Sequence, residues 1–405
     1  MPFVSLSLSQ NRLRASDSVD RPPLIAIFLP SVHGGGAERA MIVFAGQLVQ
    51  RGFRVDVVVA RLEGALQSMI PRGVNLQDLN SRRMLEAIPK LVTYLRREQP
   101  TALFSTITHA NIAAVCAAKL SRVRTRVVVR QSNAPLSERE QDLGRAICRR
   151  LIPILYRGAS GIIAVSEGVK DELRRMEPRL SARMRTLPTP VLTDQVRRQG
   201  EEIPNHPWFS HKDLPIVVSA GRLEMYKGML ELVRAFARLC AHRPARLVIV
   251  GEGSQRSKLE AEARRLGISE RVSLPGFQSN PFAYMNHADA FVLASHYEGL
   301  PNVLIQALAF GTPIVSTDCR SGPAEILEGG RWGTLVPVGS EEQLASAIEG
   351  ALARSKDETA RESAWRRFDA DAATSGYLGI AGLPERMPAA SPELLKTDAG
   401  QVRCD

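Results

Sequence analysis

Residues 289–318 constrain the fold of this chain most strongly, because they read as a strand, a loop, a helix and a second strand in succession. Residues 290–294 form a short apolar run typical of a buried parallel strand. Pro301 suits the first turn of the following helix, and a Gly-Thr-Pro turn ends that helix. In such sheets, ligands bind outside the carboxyl ends of strands, against helix N-termini whose free N–H groups attract phosphate. We therefore expect an anion site around residues 298–302.

The same stretch carries a spaced motif. Glu298 is followed by Gly-Leu-Pro-Asn, then by Gln306 eight positions after it, and then by Ala-Leu-Ala-Phe-Gly-Thr-Pro-Ile-Val. This pattern resembles the E-x7-E signature of the family 4 retaining glycosyltransferases, which have the two-domain GT-B architecture. The resemblance implies that Glu298 is catalytic and contacts the transferred sugar. It also implies that the donor is bound by Gly299, Leu300, Pro301, Asn302 and Gln306.

Gln306 is the one departure from this signature, since the family has a second glutamate that hydrogen-bonds the ribose hydroxyls. An amide oxygen can still accept from one hydroxyl, but it lacks the charge that makes such a bond about twice as strong. We therefore expect a lower donor affinity and an unchanged fold. The alternative is structural, with Glu298 an ordinary loop acid and Gln306 a solvated helix residue.

A second motif, GRLEMYKG, covers residues 221–228 and follows the strand predicted over residues 216–220. Arg222 and Lys227 come just past the carboxyl end of that strand, where a forked and a compact cation can neutralise a diphosphate. The segment is similar to one in the same family, which uses both cations on the leaving diphosphate. This resemblance makes both residues catalytic candidates, and ordinary solvated charges are the alternative. Further donor-binding candidates are the turn glycines Gly221, Gly251 and Gly253.

The amino-terminal half opens with a buried-strand run at residues 24–29, a glycine loop and a helix predicted from about residue 37 to residue 50. A strand, glycine loop and helix can hold a phosphate, although this loop lacks the G-x-G-x-x-G pattern. Its Gly-Gly-Ala-Glu-Arg sequence is similar to the opening loop of the same family. The resemblance implies that Gly35 and Gly36 let the backbone approach the donor sugar and diphosphate. A simple tight turn is the alternative.

Three more polar residues follow predicted strands of this half. His109 comes after the strand at residues 102–107, and in several relatives a histidine near this point approaches the sugar. Arg130 and Asn133 follow the strand at residues 127–129, where they could hold an acceptor hydroxyl or phosphate. An uninvolved loop histidine and a capped strand-to-loop turn are the alternatives.

The predicted fold class is α/β, with two Rossmann-like, doubly wound parallel-sheet domains of GT-B type facing each other across a cleft. The chain has 405 residues, which is enough for two ordinary domains. The predicted divisions are a disordered leader (1–21), an acceptor-binding domain (22–190), a linker (191–213), a nucleotide-sugar-binding domain (214–365), a terminal helix crossing back to the first domain (366–381) and a mobile tail (382–405).

Charge separates the two halves. Residues 1–200 contain 31 Lys and Arg against 16 Asp and Glu, whereas the whole chain has a net charge of +11. A basic half suggests an anionic partner, and aromatic residues at 5% give little scope for stacking on nucleic-acid bases. We therefore predict an anionic membrane surface as partner and no nucleic acid. A basic amphipathic helix at residues 138–157 could lie on such a surface, or could be an ordinary surface helix with its apolar face in the core.

Five scattered cysteines argue against a disulfide framework or a zinc site and favour a reducing cytoplasm. The predicted location is therefore the cytoplasm, either free or attached to the inner face of the membrane.

The resemblance implies a retaining, metal-independent transferase that moves a sugar from a nucleotide sugar to a glycan or lipid-linked acceptor in polysaccharide or lipopolysaccharide synthesis. The nucleotide sugar is predicted to be a UDP-sugar. No cofactor or metal is expected, and the D-x-D string at residues 369–371 is interpreted as incidental. The alternatives are a non-catalytic sugar-nucleotide-binding subunit, a nucleotide-sugar epimerase of the same fold and a nucleic-acid binder.

Overall fold

The computed structural model describes residues 22–135 and 143–387, which form two parallel sheets. The amino-terminal sheet has seven strands in the order β3-β2-β1-β4-β5-β6-β7. These strands are β1 (Leu24–Leu29), β2 (Arg54–Val59), β3 (Val74–Asp78), β4 (Ala102–Thr106), β5 (Arg126–Gln131), β6 (Gly161–Ala164) and β7 (Met184–Thr186). Every residue of β1 is buried, as expected for a central strand with helices on both faces.

The helices around this sheet are α1 (Gly36–Gln50), α2 (Met84–Glu98), α3 (Thr108–Ser121), α4 (Leu143–Leu155) and α5 (Glu167–Met176). The helix α5 begins after Ser166, whose Oγ accepts a hydrogen bond from the backbone N–H of Val169 at 3.2 Å. Such a side-chain cap satisfies one of the free N–H groups at a helix start. Two further helices, α6 (Asp194–Glu201) and α7 (Pro207–Ser210), follow the sheet.

The carboxyl-terminal sheet has six strands in the order β10-β9-β8-β11-β12-β13. These are β8 (Ile216–Ala220), β9 (Arg246–Val250), β10 (Val272–Gly276), β11 (Ala290–Leu293), β12 (Ile314–Thr317) and β13 (Thr334–Val336). Its helices are α8 (Met229–Cys240), α9 (Arg256–Arg265), α10 (Pro281–His287), α11 (Asn302–Leu308), α12 (Pro323–Ile326), α13 (Glu341–Ala351) and α14 (Glu358–Phe368). A further helix, α15 (Ala370–Ile380), returns to the amino-terminal domain.

Each sheet reverses its strand order beside its first strand. In the amino-terminal sheet, β1 lies between β2 and β4 and pairs in parallel with both. In the carboxyl-terminal sheet, β8 lies between β9 and β11 in the same way. Crevices for ligands form at the carboxyl ends of strands at such reversals. The predicted α/β class with two doubly wound parallel sheets is therefore confirmed, and the loops after β1, β8 and β11 lie at the two crevices.

The segment predicted as a linker over residues 191–213 is more regular than expected, because it contains α6 and α7. Thr193 caps α6, its Oγ1 accepting from the N–H of Val196 at 3.2 Å, and α6 packs against α10. The prolines in this segment obscured the helical pattern, since Pro207 lies at the first turn of α7, where a proline is tolerated.

The carboxyl-terminal segment is divided differently from the prediction of one helix over residues 366–381. Asp369 has a non-helical backbone and caps α15 through the N–H of Ala372, so α14 and α15 are separate helices. α15 packs against α1 of the other domain, where the Nη2 atom of Arg51 lies 2.7 Å from Oδ1 of Asp371. The N–H of Ala370 also donates to the carbonyl of Leu192 at 2.9 Å.

Parts of the predicted divisions lie outside the described residues, namely the leader at residues 1–21, residues 138–142 of the basic helix and residues 388–405 of the tail. The start of the tail is packed, because the N–H of Met387 donates to the carbonyl of Arg51 at 2.9 Å. Within the described residues, no helix has the length and apolar character required to cross a bilayer.

Candidate active site

The loop after β8 presents the two predicted cations. Arg222 follows Gly221 directly, and its Nη2 atom donates to the hydroxyl of Tyr226 at 2.9 Å. Burial opposes the charge of Arg222, but Tyr226 and Glu38 of the other domain favour it, and its pKa is raised overall. Lys227 ends a single turn of 3-10 helix just before Gly228 and α8. The two cations therefore lie on one short loop at the carboxyl edge of the sheet.

Lys227 forms an ion pair with Glu298 of the loop after β11. Lys227 Nζ lies 2.6 Å from Glu298 Oε1, and the two side chains are only 14% and 10% exposed. The hydroxyl of Ser295 donates to the same carboxylate oxygen at 2.7 Å. Burial is the largest single effect and lowers the pKa of Lys227, but Glu298 and Tyr226 together outweigh it, so the pKa is raised and the amine stays protonated. The structure thus joins the two sequence motifs into one charged pair.

Two tyrosines that the motif analysis did not select support this pair. The rings of Tyr226 and Tyr297 stack with centroids 4.8 Å apart and an interplanar angle of 17°. The ammonium of Lys227 lies 5.2 Å from the centroid of the Tyr226 ring, within the range of a cation–π contact. Tyr226 therefore contacts both cations of its loop. Its position between them in the sequence was the available signal.

Cys319 lies close to this charged group, in the loop after β12. Burial raises the pKa of its thiol to about 12, and the negative charge of Glu298 adds to the shift. The thiol is therefore protonated at neutral pH and adds no charge to the site.

The predicted donor glycines allow backbone segments to approach closely. A methyl group on Gly251 would lie 1.9 Å from the carbonyl oxygen of Gly221, and Gly251 has a φ of +142°. Gly253 packs in a similar way against the backbone of Leu223. Side chains at these positions would separate the two loops. The glycines thus bring the loop after β9 against the loop that carries Arg222 and Lys227.

The helix α11 begins at the same edge of the sheet. Pro301 is its N-cap and Leu300 is buried beside it, so the free N–H groups of the first turn lie at the carboxyl end of β11. Gln306 lies one turn further and is buried, unlike the solvated residue considered as the alternative. Its side-chain amide forms no hydrogen bond with another residue in the described ranges 22–135 and 143–387.

The two domains touch at the loop after β11, which contains Glu298 and Gly299 and is called the donor loop below after its predicted role. Ser166 Oγ of the amino-terminal domain donates to the carbonyl of Gly299 at 2.9 Å. A methyl group on Gly299 would lie only 2.0 Å from the carbonyl oxygen of Ser132, so the two backbones are in direct contact. Asn302 Nδ2 donates to the carbonyl of Gly36 at 2.9 Å. The carboxyl edges of the two sheets therefore face each other across a narrow cleft.

The residues predicted on the acceptor side lie in different environments. Arg130 is buried, and its Nε, Nη1 and Nη2 atoms donate to the hydroxyls of Tyr377, Thr106 and Thr189 at 3.0, 3.0 and 2.7 Å. These bonds tie β5 to α15, and they leave Arg130 without geometric support for an acceptor contact. Asn133 is exposed and lies next to Gly299, so its acceptor role stays a prediction.

His109 is exposed in the first turn of α3 and lines a cavity whose lining residues all belong to the amino-terminal domain. His33 and Ser31 line the same cavity. The contact of His109 with the transferred sugar therefore also stays a prediction.

Glu38 is a buried acid in the cleft that the residue patterns did not select. It lies in the first turn of α1, and its carboxylate folds over Gly35, where a methyl group would meet Oε2. Burial raises its pKa, while its own backbone N–H and the charge of Arg222 lower it. An acid in the first turn of a helix is stabilised by the helix dipole.

The D-x-D string has structural contacts, since Asp369 caps α15 and Asp371 pairs with Arg51. Among the described residues, no three His, Cys, Asp or Glu side chains are grouped as a metal site.

Two doubly wound parallel sheets whose carboxyl edges face across a cleft define the GT-B fold. Residues 34–195 match the model of the Glycosyltransferase Family 4 domain, and residues 203–367 match that of Glycosyl transferases group 1. The two domains of the chain belong to the two glycosyltransferase families that these models describe.

Similar proteins are found among curated sequences and solved structures. A lipopolysaccharide core biosynthesis glycosyltransferase (LpsE) of Rhizobium meliloti is 27% identical over 374 residues, which cover 85% of this chain and 95% of that protein. An N-acetylgalactosamine-N,N'-diacetylbacillosaminyl-diphospho-undecaprenol 4-alpha-N-acetylgalactosaminyltransferase of Campylobacter jejuni is 30% identical over 230 residues, or 56% of this chain; the match spans only 61% of that relative. The structure of Anabaena HepE with UDP and glucose is similar in fold, with a TM-score of 0.71, 20% identity and coverage of 89% of this chain and 99% of that one.

Proposed function

We propose that this chain is a retaining, metal-independent glycosyltransferase that uses a UDP-sugar to extend a glycan or lipid-linked acceptor in cell-surface polysaccharide or glycolipid synthesis. The observation that carries the proposal is the buried ion pair of Lys227 and Glu298 at the carboxyl edge of the second sheet, beside the start of α11. Family membership and the UDP complex of the HepE structure support the choice of donor.

In this proposal, the diphosphate of the donor lies between Arg222, Lys227 and the first turn of α11. Breaking the bond from the sugar to the diphosphate builds negative charge on the leaving phosphate oxygen. Fixed cations and N–H dipoles aimed at that oxygen stabilise the transition state, and one such donor contributes on the order of 3 kcal/mol. Because these groups supply the positive charge, the proposed reaction does not require a metal ion. Glu298 contacts the transferred sugar, and Gln306 accepts from a ribose hydroxyl.

We propose that the acceptor binds to the basic amino-terminal domain. The names of the two curated relatives refer to lipopolysaccharide core synthesis and to a diphospho-undecaprenol acceptor, which supports an acceptor of this kind. Helix α4 also supports work at the inner face of the cytoplasmic membrane, because Ile147 and Ile154 are 49% and 64% exposed next to Arg149 and Arg150. A basic helix with exposed apolar side chains can lie in a membrane interface.

A panel of nucleoside diphosphates tests the donor site. UDP is expected to raise the melting temperature more than ADP, GDP or CDP, because a ligand that binds only the folded state stabilises it by mass action. At one hundred times the dissociation constant, the stabilisation is about 2.7 kcal/mol. Equal small shifts for all four nucleotides would contradict the proposal.

Gln306→Glu tests the weakened donor contact. Replacing the amide by a carboxylate adds charge to the bond with a ribose hydroxyl, and we expect roughly 1 kcal/mol of added affinity, or about fivefold tighter UDP binding by calorimetry. An unchanged or weaker affinity would contradict a ribose contact at this position.

Wild type and Gln306→Glu also distinguish two functions for this chain, an enzyme and a non-catalytic binding subunit. The amide at Gln306 is the observation that favours the binding subunit. Release of UDP from a UDP-sugar is measured with wild type and with Gln306→Glu, in the presence and absence of acceptor extract. Acceptor-dependent release by wild type is the expected result. Donor binding without release in wild type, together with release by the variant, would assign the natural chain a binding role.

A further inference from the structure

The cavity lined by His109, His33 and Ser31 is a candidate binding site in the amino-terminal domain. This cavity of about 270 Å³ is at the carboxyl ends of β1, β2, β3 and β4, four neighbours in the sheet. Ligands of open α/β sheets bind at this edge. None of its lining residues comes from the carboxyl-terminal domain, so it is distinct from the group of Arg222, Lys227 and Glu298. Its volume is below the range of about 300–1,000 Å³ that whole small-molecule ligands occupy, so it suits one group of a larger substrate.

The charge of the lining is unbalanced. Arg61, Arg82 and Arg83 contribute three guanidinium groups, against a single carboxylate from Glu63. Glu63 is already engaged, because it forms an ion pair with Arg61 and its Oε2 lies 4.0 Å from Nε2 of His33. The cavity therefore has positive charge that its own acid does not neutralise.

Arg82 and Arg83 carry this excess charge. Both are exposed, and in the described part of the chain neither guanidinium forms an ion pair or a hydrogen bond. The nearby carboxylate of Glu86 accepts from the backbone N–H of Arg82 at 3.1 Å and leaves both guanidiniums unpaired. The side chains are thus available to a ligand in the cavity.

The start of α2 increases the positive potential here. Arg83 is the N-cap of α2, a position where side chains that accept hydrogen bonds are preferred, and its side chain makes no capping bond. The positive end of the helix dipole disfavours cations at this position. Arg83 at this unfavourable position, with Arg82 beside it and both lining a cavity of unbalanced charge, favours the binding of an anion.

We propose that this cavity binds a phosphoryl group of the acceptor, with Arg82 and Arg83 as its principal contacts and Arg61 beside them. The forked N–H groups of arginine match phosphate oxygens, which favours phosphate over other anions. The inference rests on the proposed function for the presence of an acceptor. The loop that follows β1 lines the cavity and leads to Gly36, whose carbonyl accepts a hydrogen bond from Asn302 of α11. A phosphoryl group bound in the cavity therefore lies near the proposed site of sugar transfer.

The test uses sodium pyrophosphate as the probe, titrated by calorimetry at low ionic strength into the full chain. All proteins carry Arg222→Ala and Lys227→Ala, which remove the two cations of the proposed donor site. The protein with these two changes alone is the parent. The test variant adds Arg82→Ala and Arg83→Ala. The matched control adds Arg54→Ala and Arg72→Ala instead, because these exposed arginines lie at the amino ends of β2 and β3, on the opposite edge of the same sheet.

Pyrophosphate is expected to bind the parent and the control equally, and at least tenfold more weakly to the test variant. Equal binding by the test variant, equal weakening in the control, or no binding by the parent would overturn the proposal. Equal melting temperatures for the variants show that folding is not the cause of a loss.

A membrane headgroup offers the same phosphoryl chemistry, and a second arm separates the two sources. Co-sedimentation with phosphatidylcholine vesicles that contain phosphatidylglycerol is measured for the same variants. If the test variant loses vesicle binding but retains pyrophosphate binding, the arginines contact the membrane and the proposal is wrong. Binding of UDP to the wild-type chain tests the proposed function independently, since it does not depend on Arg82 or Arg83.

Discussion

Lys227→Ala is expected to lower kcat by about a hundred- to a thousand-fold, the loss seen when one fixed donor to a developing negative charge is removed. The ammonium group is held 2.6 Å from Glu298 and stays protonated, so in the proposed reaction its positive charge is in place before the diphosphate leaves. The alanine variant also leaves the carboxylate of Glu298, only 10% exposed, without its cation. Steady-state measurement of UDP release gives kcat and KM separately.

Lys170→Ala is the matched control for this prediction. Lys170 is a lysine of α5 that pairs with Glu167 at the surface, with Nζ 3.1 Å from Oε2. Exposed pairs of this kind contribute about 0–1 kcal/mol, so the control should retain wild-type kcat and nearly wild-type stability. A Lys227→Ala enzyme that turns over like the control would exclude the diphosphate role of Lys227. A change in KM with an unchanged kcat would show ground-state binding only.

Gly299→Ala is expected to lower kcat/KM by about a hundred-fold, a loss typical of displacing a reacting group by about 1 Å. The added methyl group would lie 2.0 Å from the carbonyl oxygen of Ser132, a distance that the closed cleft cannot accommodate. The backbone of Gly299 is not in the left-handed region, so alanine is acceptable once the domains move apart. Activity should therefore fall with little change in melting temperature, and small-angle scattering should show a larger radius of gyration.

Gly350→Ala provides the comparison. Gly350 lies in α13, and a methyl group there has no atom within 4 Å. Alanine favours a helix over glycine by about 1 kcal/mol, so this variant should be slightly more stable and fully active. Unchanged turnover in Gly299→Ala would show that the closed contact is not needed for catalysis.

The fold and the two loops that carry Lys227 and Glu298 could be predicted from the sequence because their signals are local. Strand, loop and helix follow one another within a few residues around Glu298 and around Lys227, and each pattern has one preferred arrangement. The pairing of the two loops is also predictable, since strands that end at the same edge of a sheet bring their loops together.

The environment of Arg130 could not be predicted in the same way. Its three partners, Thr106, Thr189 and Tyr377, come from the end of β4, the segment after β7 and the helix α15. No local pattern links such distant positions. The stack of Tyr226 on Tyr297 was missed for a similar reason, because it forms only when the loops after β8 and β11 meet.

Short elements at the edges of the fold were also missed. β3 is half-buried and alternates apolar with polar residues, and β7 and β13 have three residues each, too few for a periodic pattern. The helix α6 follows residues rich in proline, so its capping threonine was the only clear signal.

The peptide passes between the domains twice, once near Leu192 and once near Asp369, and a backbone hydrogen bond joins the two passages side by side. Two adjacent connections of this kind form a two-stranded hinge between the domains. We expect two adjacent connections to restrict twisting and sliding of one domain over the other and to permit rotation about one axis. We therefore expect opening of the cleft to depend on small rotations near Leu192 and Asp369, away from Lys227 and Glu298.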